Sequence, residues 1–305
     1  MKMKKRIRFF LFPLVILFVI LPLSSTVMAA EAKVNLGSTE TYAVLAGSTI
    51  TNTGPTVISG TVGGDIGLFP GTSITGFPPG TVGGTTHLTD EAASLAKTDL
   101  VAAYNDAASR TPTMDMSGQD LGGKTLTSGV YFFSSSAQLT GTLTLDAQGD
   151  PEAVFIFQIG SALTTASNSV VSLTNGARFC RVFWQVTSSA TLGTNSQFAG
   201  HILATESITA ATGATVQGQL MAQTGAVTLD SNTITNGICG AAAATSTPTP
   251  TAAATTATPV PTTGTTELTK TGENAQKQIM IGVLLLVISG SLVFLLVSRR
   301  KNIQR

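Results

Sequence analysis

Four stretches of the chain can be laid one above another: Leu163-Thr164-Thr165-Ala166-Ser167-Asn168, Ala190-Thr191-Leu192-Gly193-Thr194-Asn195, Ile208-Thr209-Ala210-Ala211-Thr212-Gly213 and Val227-Thr228-Leu229-Asp230-Ser231-Asn232. Each reads apolar, Thr, variable, small or Asp, Ser/Thr, Asn/Gly. The aligned threonines are spaced by 27, 18 and 19 residues. A repeat near 20 residues is the mark of a solenoid, in which each coil buries its apolar side against the next. Successive strand side chains point to opposite faces. Leu163, Ala190, Ile208 and Val227 therefore point inward, as do Thr165, Leu192, Ala210 and Leu229 two positions on. Thr164, Thr191, Thr209 and Thr228 point outward, flanked by Ala162, Ser189, Ser207 and Ala226 on one side and Ala166, Gly193, Ala211 and Asp230 on the other. The Asn/Gly column closes each turn, because Asn and Gly tolerate positive φ. Phe157, Trp184, Ile202 and Met221 form a second inward stack. Looser echoes of the apolar-Thr pair occur at Ile50-Thr51, Ile74-Thr75 and Leu139-Thr140.

Between these strands lies one predicted helix, Asp90 to about Ala108, with Thr89 as its cap and Pro112 just past its end. The remainder reads as short strands rich in β-branched and aromatic residues, broken by Gly and Asn. The fold class is mainly β.

Working outward, residues 34–240 hold the only credible core. Residues 1–30 carry a basic start, an apolar run from Phe9 to about Leu23 and a small-residue close at Ala29-Ala30, which predicts a cleaved secretory signal peptide; a retained membrane anchor is the alternative. Residues 241–267 are Ala, Thr, Ser and Pro, a composition that buries no core and predicts an extended stalk. Residues 268–305 hold Leu268-Thr269-Lys270-Thr271-Gly272, an uncharged run from Ile279 to Val297 and the basic Arg299-Arg300-Lys301. The run is long enough to cross a bilayer, and the basic flank places the tail in the cytoplasm and the body outside. The preceding motif resembles the sortase sorting signal Leu-Pro-x-Thr-Gly, with Thr269 in place of proline. Processing after Thr271 would link the body to the cell wall; without it, residues 279–297 anchor the chain in the membrane. Cys180 and Cys239 form an even pair, which in an oxidising exterior suggests one disulfide, with two buried thiols as the alternative.

From Glu31 to Gly272 there are seven basic residues against 15 acidic, a balance of −8, and charged residues are scarce overall at 11%. That argues against nucleic acid or an anionic membrane surface as partner, since both need clustered Lys and Arg. Catalysis is not expected. The two histidines, His87 and His201, have no metal-ligand spacing, and His201 reads as structural. The acids are scattered rather than paired by the repeat, and no phosphate loop is present. No cofactor, metal or small-molecule substrate is called for.

An outward grid of threonines has a different use. Stiff β-branched side chains at strand spacing present ordered hydroxyls and methyls. A repeating array is matched only by a repeating partner, and ordered water held on it can merge with an ice lattice. Exposed strand threonine without function is the competing reading.

Several further stretches bear on the choice: Leu36-Gly37, Tyr42-Ala43-Val44-Leu45-Ala46, Gly64-Asp65-Ile66-Gly67, Ala102-Ala103-Tyr104-Asn105-Asp106-Ala107, Gly129-Val130-Tyr131, Phe155-Ile156-Phe157-Gln158-Ile159, Val182-Phe183-Trp184-Gln185-Val186 and Ala226-Val227-Thr228-Leu229-Asp230-Ser231-Asn232-Thr233. With them, residues 34–239 resemble the microbial ice-binding protein family of the DUF3494 type. The resemblance implies a discontinuous β-solenoid of triangular section with one long α-helix packed alongside, and an ice crystal surface as partner. It also implies Thr-x-x-Thr-like pairs on the binding face, met here by Thr191/Thr194 and Thr209/Thr212 and nearly met by Thr164/Ser167 and Thr228/Ser231. Asp230 departs by placing a charge at the edge of that face. The expected function is a surface-displayed ice-binding protein. A cell-surface adhesin or surface-structural module that binds polysaccharide or another cell is the alternative, and a fold kept without ice function is a third possibility.

Overall fold

The computed structural model describes residues 31–60 and 63–237. The proposed signal peptide, the stalk, the sorting-like motif and the apolar run Ile279–Val297 lie outside these residues, as does Cys239. Among the described residues no helix is long and apolar enough to cross a membrane.

Parallel strands stack into coils that turn three corners. One side is a seven-stranded sheet of Ala137–Leu139, Leu163–Thr165, Ala190–Leu192, Ile208–Ala210, Val227–Asp230, Thr49–Thr53 and Ser73–Thr75, in that order. The other two sides share one 15-stranded sheet, because the long strands Gln197–Ala204 and Thr215–Ala222 bend across the corner between them. Glycine permits that bend. Gly200 and Gly218 have φ of 115° and 144°, and a Cβ on Gly218 would sit 2.0 Å from the Gly200 carbonyl oxygen.

The stacking order departs from the chain order. Coils run in sequence from residue 114 to residue 235. The N-terminal strands then join at the far end, Thr49–Thr53 on Val227–Asp230 and Tyr42–Ala46 on Thr215–Ala222. Helix α1 (Glu91–Ser109) carries the chain back along the stack from Thr86–Leu88 at one end to Met114–Asp115 at the other. Its 19 residues give roughly 28 Å of rise. The eight strand-to-strand steps beside it span about 38 Å, and the extended residues after the helix cover the difference.

Helix α1 packs closely because its buried side is mostly small, Ala93, Ala96, Ala103 and Ala107, with Leu100 and Lys97 as the two large insertions. It covers a second apolar cluster that includes Leu45, Val130, Ile156, Phe183, Leu203 and Met221. Asp90, rather than Thr89, is the N-cap; its Oδ1 accepts from the Ala93 N–H at 2.8 Å. At the other end Gln158 Nε2 donates to the carbonyls of Ala107 and Arg110, both at 2.8 Å. Buried Lys97 donates to the carbonyls of Ala222 and Gln223, pinning the helix to the coil beneath.

Inside the coils, Tyr131, Phe157, Trp184, Ile202, Leu220, Val44 and Ile66 form one aligned column. Phe157 and Trp184 stack with centroids 3.9 Å apart, and the Trp184 indole N–H donates to the Ala199 carbonyl. Leu220 takes the place that the repeat gave to Met221. The strand register is one residue earlier there, so Met221 points under the helix instead. Cys180 is disulfide-bonded, on the turn that precedes Val182–Val186.

Candidate functional site

The seven-stranded side carries the threonine column. Strand register aligns Gln138 with Thr164, Thr191, Thr209, Thr228, Thr51 and Thr75. Six threonines in a row result, exposed or half-exposed. At strand spacing the seven positions span about 29 Å. Their neighbours Leu163, Ala190, Ile208, Val227 and Ile50 are buried beneath them, so the alternation read from sequence holds. Thr165 also points inward; its hydroxyl accepts from the Gly193 N–H at 3.0 Å.

Small residues flank the column. On one side stand Ser136, Ala162, Ser189, Ser207, Ala226, Thr49 and Ser73, each two positions before its ladder residue or beside such a neighbour in the stack. No ladder position and no position on this serine border bears an aromatic or a basic residue. The grid is thus low-relief and neutral apart from two acids, Glu206 at the serine border and Asp230 at the turn border. Glu206 accepts from the Ser188 and Ser189 hydroxyls.

The turn border corrects one predicted pairing. The backbone N–H groups of Asn168, Asn195, Gly213 and Ser231 donate to the carbonyls of Thr194, Thr212, Asp230 and Thr53. Asn168, Asn195, Gly213, Ser231 and Gly54 therefore form the turn column, and all have φ between 53° and 74°. Ser167, Thr194, Thr212, Asp230 and Thr53 precede it. The coil through Thr228 is one residue shorter between ladder and turn, so Ser231 fills the left-handed position expected for Asn232. Asp230 occupies the place of the second threonine. Its carboxylate accepts from the hydroxyls of Thr212 and Ser231, which ties two coils together at that border. Asn232 is buried and donates to the carbonyls of Ala211 and Ala214.

Sequence reasoning brought Thr164, Thr191, Thr209 and Thr228 together, and the structure keeps them so. It missed that Thr51 and Thr75 extend the same column. The apolar-Thr pairs at Ile50 and Ile74 were the available signal, but chain order gave no reason to place them beyond Thr228. The Leu139-Thr140 pair is out of register: Leu139 aligns with Thr165, so Gln138 ends the ladder.

The third side is also uncovered. Its outward column reads Thr142, Val170, Gln197, Thr215, Thr233, Val57 and Thr81. It is less regular. Val170–Thr174 meets Gln197–Ala204 through one aligned pair only, and a groove floored by Phe198 and Ala199 interrupts the face there. Among the described residues no group of three or more His, Cys, Asp or Glu could hold a metal ion.

Comparison with known proteins agrees with this architecture. A family model described as "Ice-binding-like" matches residues 44–235. An ice-binding protein of Nostoc sp. (strain HG1) is 55% identical over 202 residues, covering 66% of this chain and 73% of that protein. The crystal structure of an ice-binding protein from an Antarctic biological consortium superposes with a TM-score of 0.65 at 47% identity, over 68% of this chain and 93% of that one. That of the Antarctic ascomycete Antarctomyces psychrotrophicus gives 0.64 at 43% identity, over 67% and 98%. The triangular solenoid, the helix along it and these similarities together establish that the chain belongs to the ice-binding-like family.

Proposed function

We propose that this protein binds ice through its seven-stranded face, without catalysis. The observation that carries the reading is the row of six threonines held in register by backbone pairing, from Thr164 to Thr75. Hydroxyls tie water to such a face while the γ-methyls and neighbouring alanines hold it in ordered arrays. Each contact is weak. The face gains affinity because its backbone is rigid before binding, so little order has to be imposed at contact. Names given to the relatives support the same partner.

The test is thermal hysteresis and ice-crystal shape for the chain from Glu31 onward, beside a Thr191→Tyr/Thr209→Tyr variant whose fold is checked by circular dichroism. Shaping by the parent and its loss in that variant support the ladder. The third side is the second reading, favoured by its exposed Thr215 and Thr233. Loss in Thr215→Tyr/Thr233→Tyr, with activity kept in the ladder variant, moves the site there. No shaping by the parent rejects ice binding and leaves the surface-adhesin reading.

The chain ends add a location to this proposal. A signal peptide in residues 1–30, a stalk at 241–267 and an anchor at 279–297, or wall linkage after Thr271, would display the solenoid on the outer face of the cell envelope. Tethered there, it would attach the cell to ice or shape ice at its surface. Protease treatment of intact cells tests this: release of the solenoid supports display, and full protection refutes it.

A further inference from the structure

The hydroxyls of the seven-stranded face divide into two kinds. Those on its borders have committed their protons inside the protein. At the turn border, Thr212 and Ser231 both donate to the Asp230 carboxylate. At the serine border, Ser188 and Ser189 both donate to Glu206 Oε2, at 2.8 and 3.3 Å. Ser189 and Ser207 also accept from the backbone N–H groups of Ser207 and Ala226 in the next coil. In the column between, the hydroxyls of Thr164, Thr191 and Thr209 make no hydrogen bond to another described residue. Their protons stay free to turn toward water.

Resting on the ice-binding reading, we infer that Asp230 and Glu206 set the width of the contact. Across the coils of Thr209 and Thr228, ice meets the ladder column, and the two carboxylates hold it off both borders. Water in an ice surface both donates and accepts. A free hydroxyl matches both roles. An ionised carboxylate only accepts, and so does a hydroxyl whose proton is committed to that carboxylate. Thr212, Asp230 and Ser231 therefore make one acceptor-only patch, and Ser188, Ser189 and Glu206 make another. Liquid water turns its protons toward such a patch. Water fixed in a crystal cannot, so a charge pressed against ice loses hydration that nothing replaces. The border runs close to the ladder on both sides. Asp230 lies two residues after Thr228, one same-face step of ~6.6–6.8 Å along the strand, and Glu206 lies three residues before Thr209.

The test is thermal hysteresis of the full-length protein in phosphocholine-headed micelles, with empty micelles as the blank. The parent, Asp230→Asn, Glu206→Gln and the double variant are compared at equal concentration. Asn and Gln keep an oxygen that accepts from the same hydroxyls and remove the charge. The expected result is a larger hysteresis in each single variant than in the parent, and the largest in the double variant. A loosened coil would lower hysteresis, so a rise separates the charge from a scaffold role. Melting temperatures show which variants keep the fold; if Asp230→Asn melts early, Glu206→Gln, at an exposed position, carries the test alone. Unchanged or reduced hysteresis in variants that melt like the parent would overturn the inference. An inactive parent would overturn the ice reading itself, and this border with it.

Discussion

Lowering the pH from 7 to 5 should destabilise the solenoid through His201. The ring is 2% exposed, between Phe183 at 5.3 Å and Phe179 at 6.1 Å. Burial is the main cause that holds its pKa near 3, against 6.5 in the unfolded chain. Because the folded value is the lower one, the unfolded state takes up the proton first. Stability is full above pH 6.5 and is lost as pH falls from there toward 3. At pH 5 the loss is about 2 kcal/mol, from 1.36 kcal/mol per unit over the interval below 6.5. For a domain of this size that lowers Tm by roughly 4–8 °C. Carboxylates do not obscure the window. Asp90, held down first by the Ala93 N–H, and Asp99, held down by Ser38, stay ionised through it. The assay is scanning calorimetry at pH 7, 6 and 5 on the wild type and on His201→Leu. The variant should lose several degrees less than the wild type over this range. Equal losses in the two proteins would refute the reasoning and mean that water reaches the imidazolium in the folded state.

Gly218→Ala should cost more than about 3 kcal/mol, measured by chemical denaturation, since its Cβ would overlap the Gly200 carbonyl and its φ of 144° suits glycine. Trp184→Ala should cost about 3–5 kcal/mol by the same measure, because it removes the fully buried ring stacked on Phe157. Lys97→Met should lose about 2 kcal/mol at pH 7 by leaving the Ala222 and Gln223 carbonyls unpaired. Burial lowers the Lys97 pKa to about 8. The wild type should therefore gain stability from this residue as pH rises from about 8 toward 10.5, where the unfolded chain still binds the proton, and Lys97→Met should lack that gain.

The four C-terminal ladder threonines were legible because their coils follow one another in sequence and each keeps one apolar residue before the Thr. Alternation did the rest. Four features were not legible, each for a local reason. The turn column slipped at Ser231 because that coil, like the one through Thr51, drops a residue while keeping its backbone pairing, which residue identities alone do not reveal. Met221 was placed in the core because Leu220 and Met221 are both large and apolar, so the pattern does not choose between them. Thr51 and Thr75 were recognised as echoes but not as part of the array, since their place depends on a strand pairing 177 residues away in sequence, Thr51 against Thr228. The buried pairing of His201 with Gln219 left no periodic trace at all. His201 and Gln219 lie in strands whose neighbours are apolar, and only the register puts them side by side.

The return of the chain along helix α1 also limits how this protein can grow. In an ordinary solenoid a terminal repeat can be copied and appended, since the last coil is also the last sequence. Here the outermost coils, at Ser73–Leu88 and Met114–Leu139, are interior to the sequence, whereas the first and last strands among the described residues, Tyr42–Ala46 and Thr233–Thr235, lie within the stack with partners on both sides. Duplication at either chain end adds nothing to the array. A longer ladder requires a coil inserted mid-sequence together with a longer α1, so that the strut still reaches from one end to the other. Lineages with this connectivity should therefore keep a nearly constant number of coils and vary in what lies outside the solenoid.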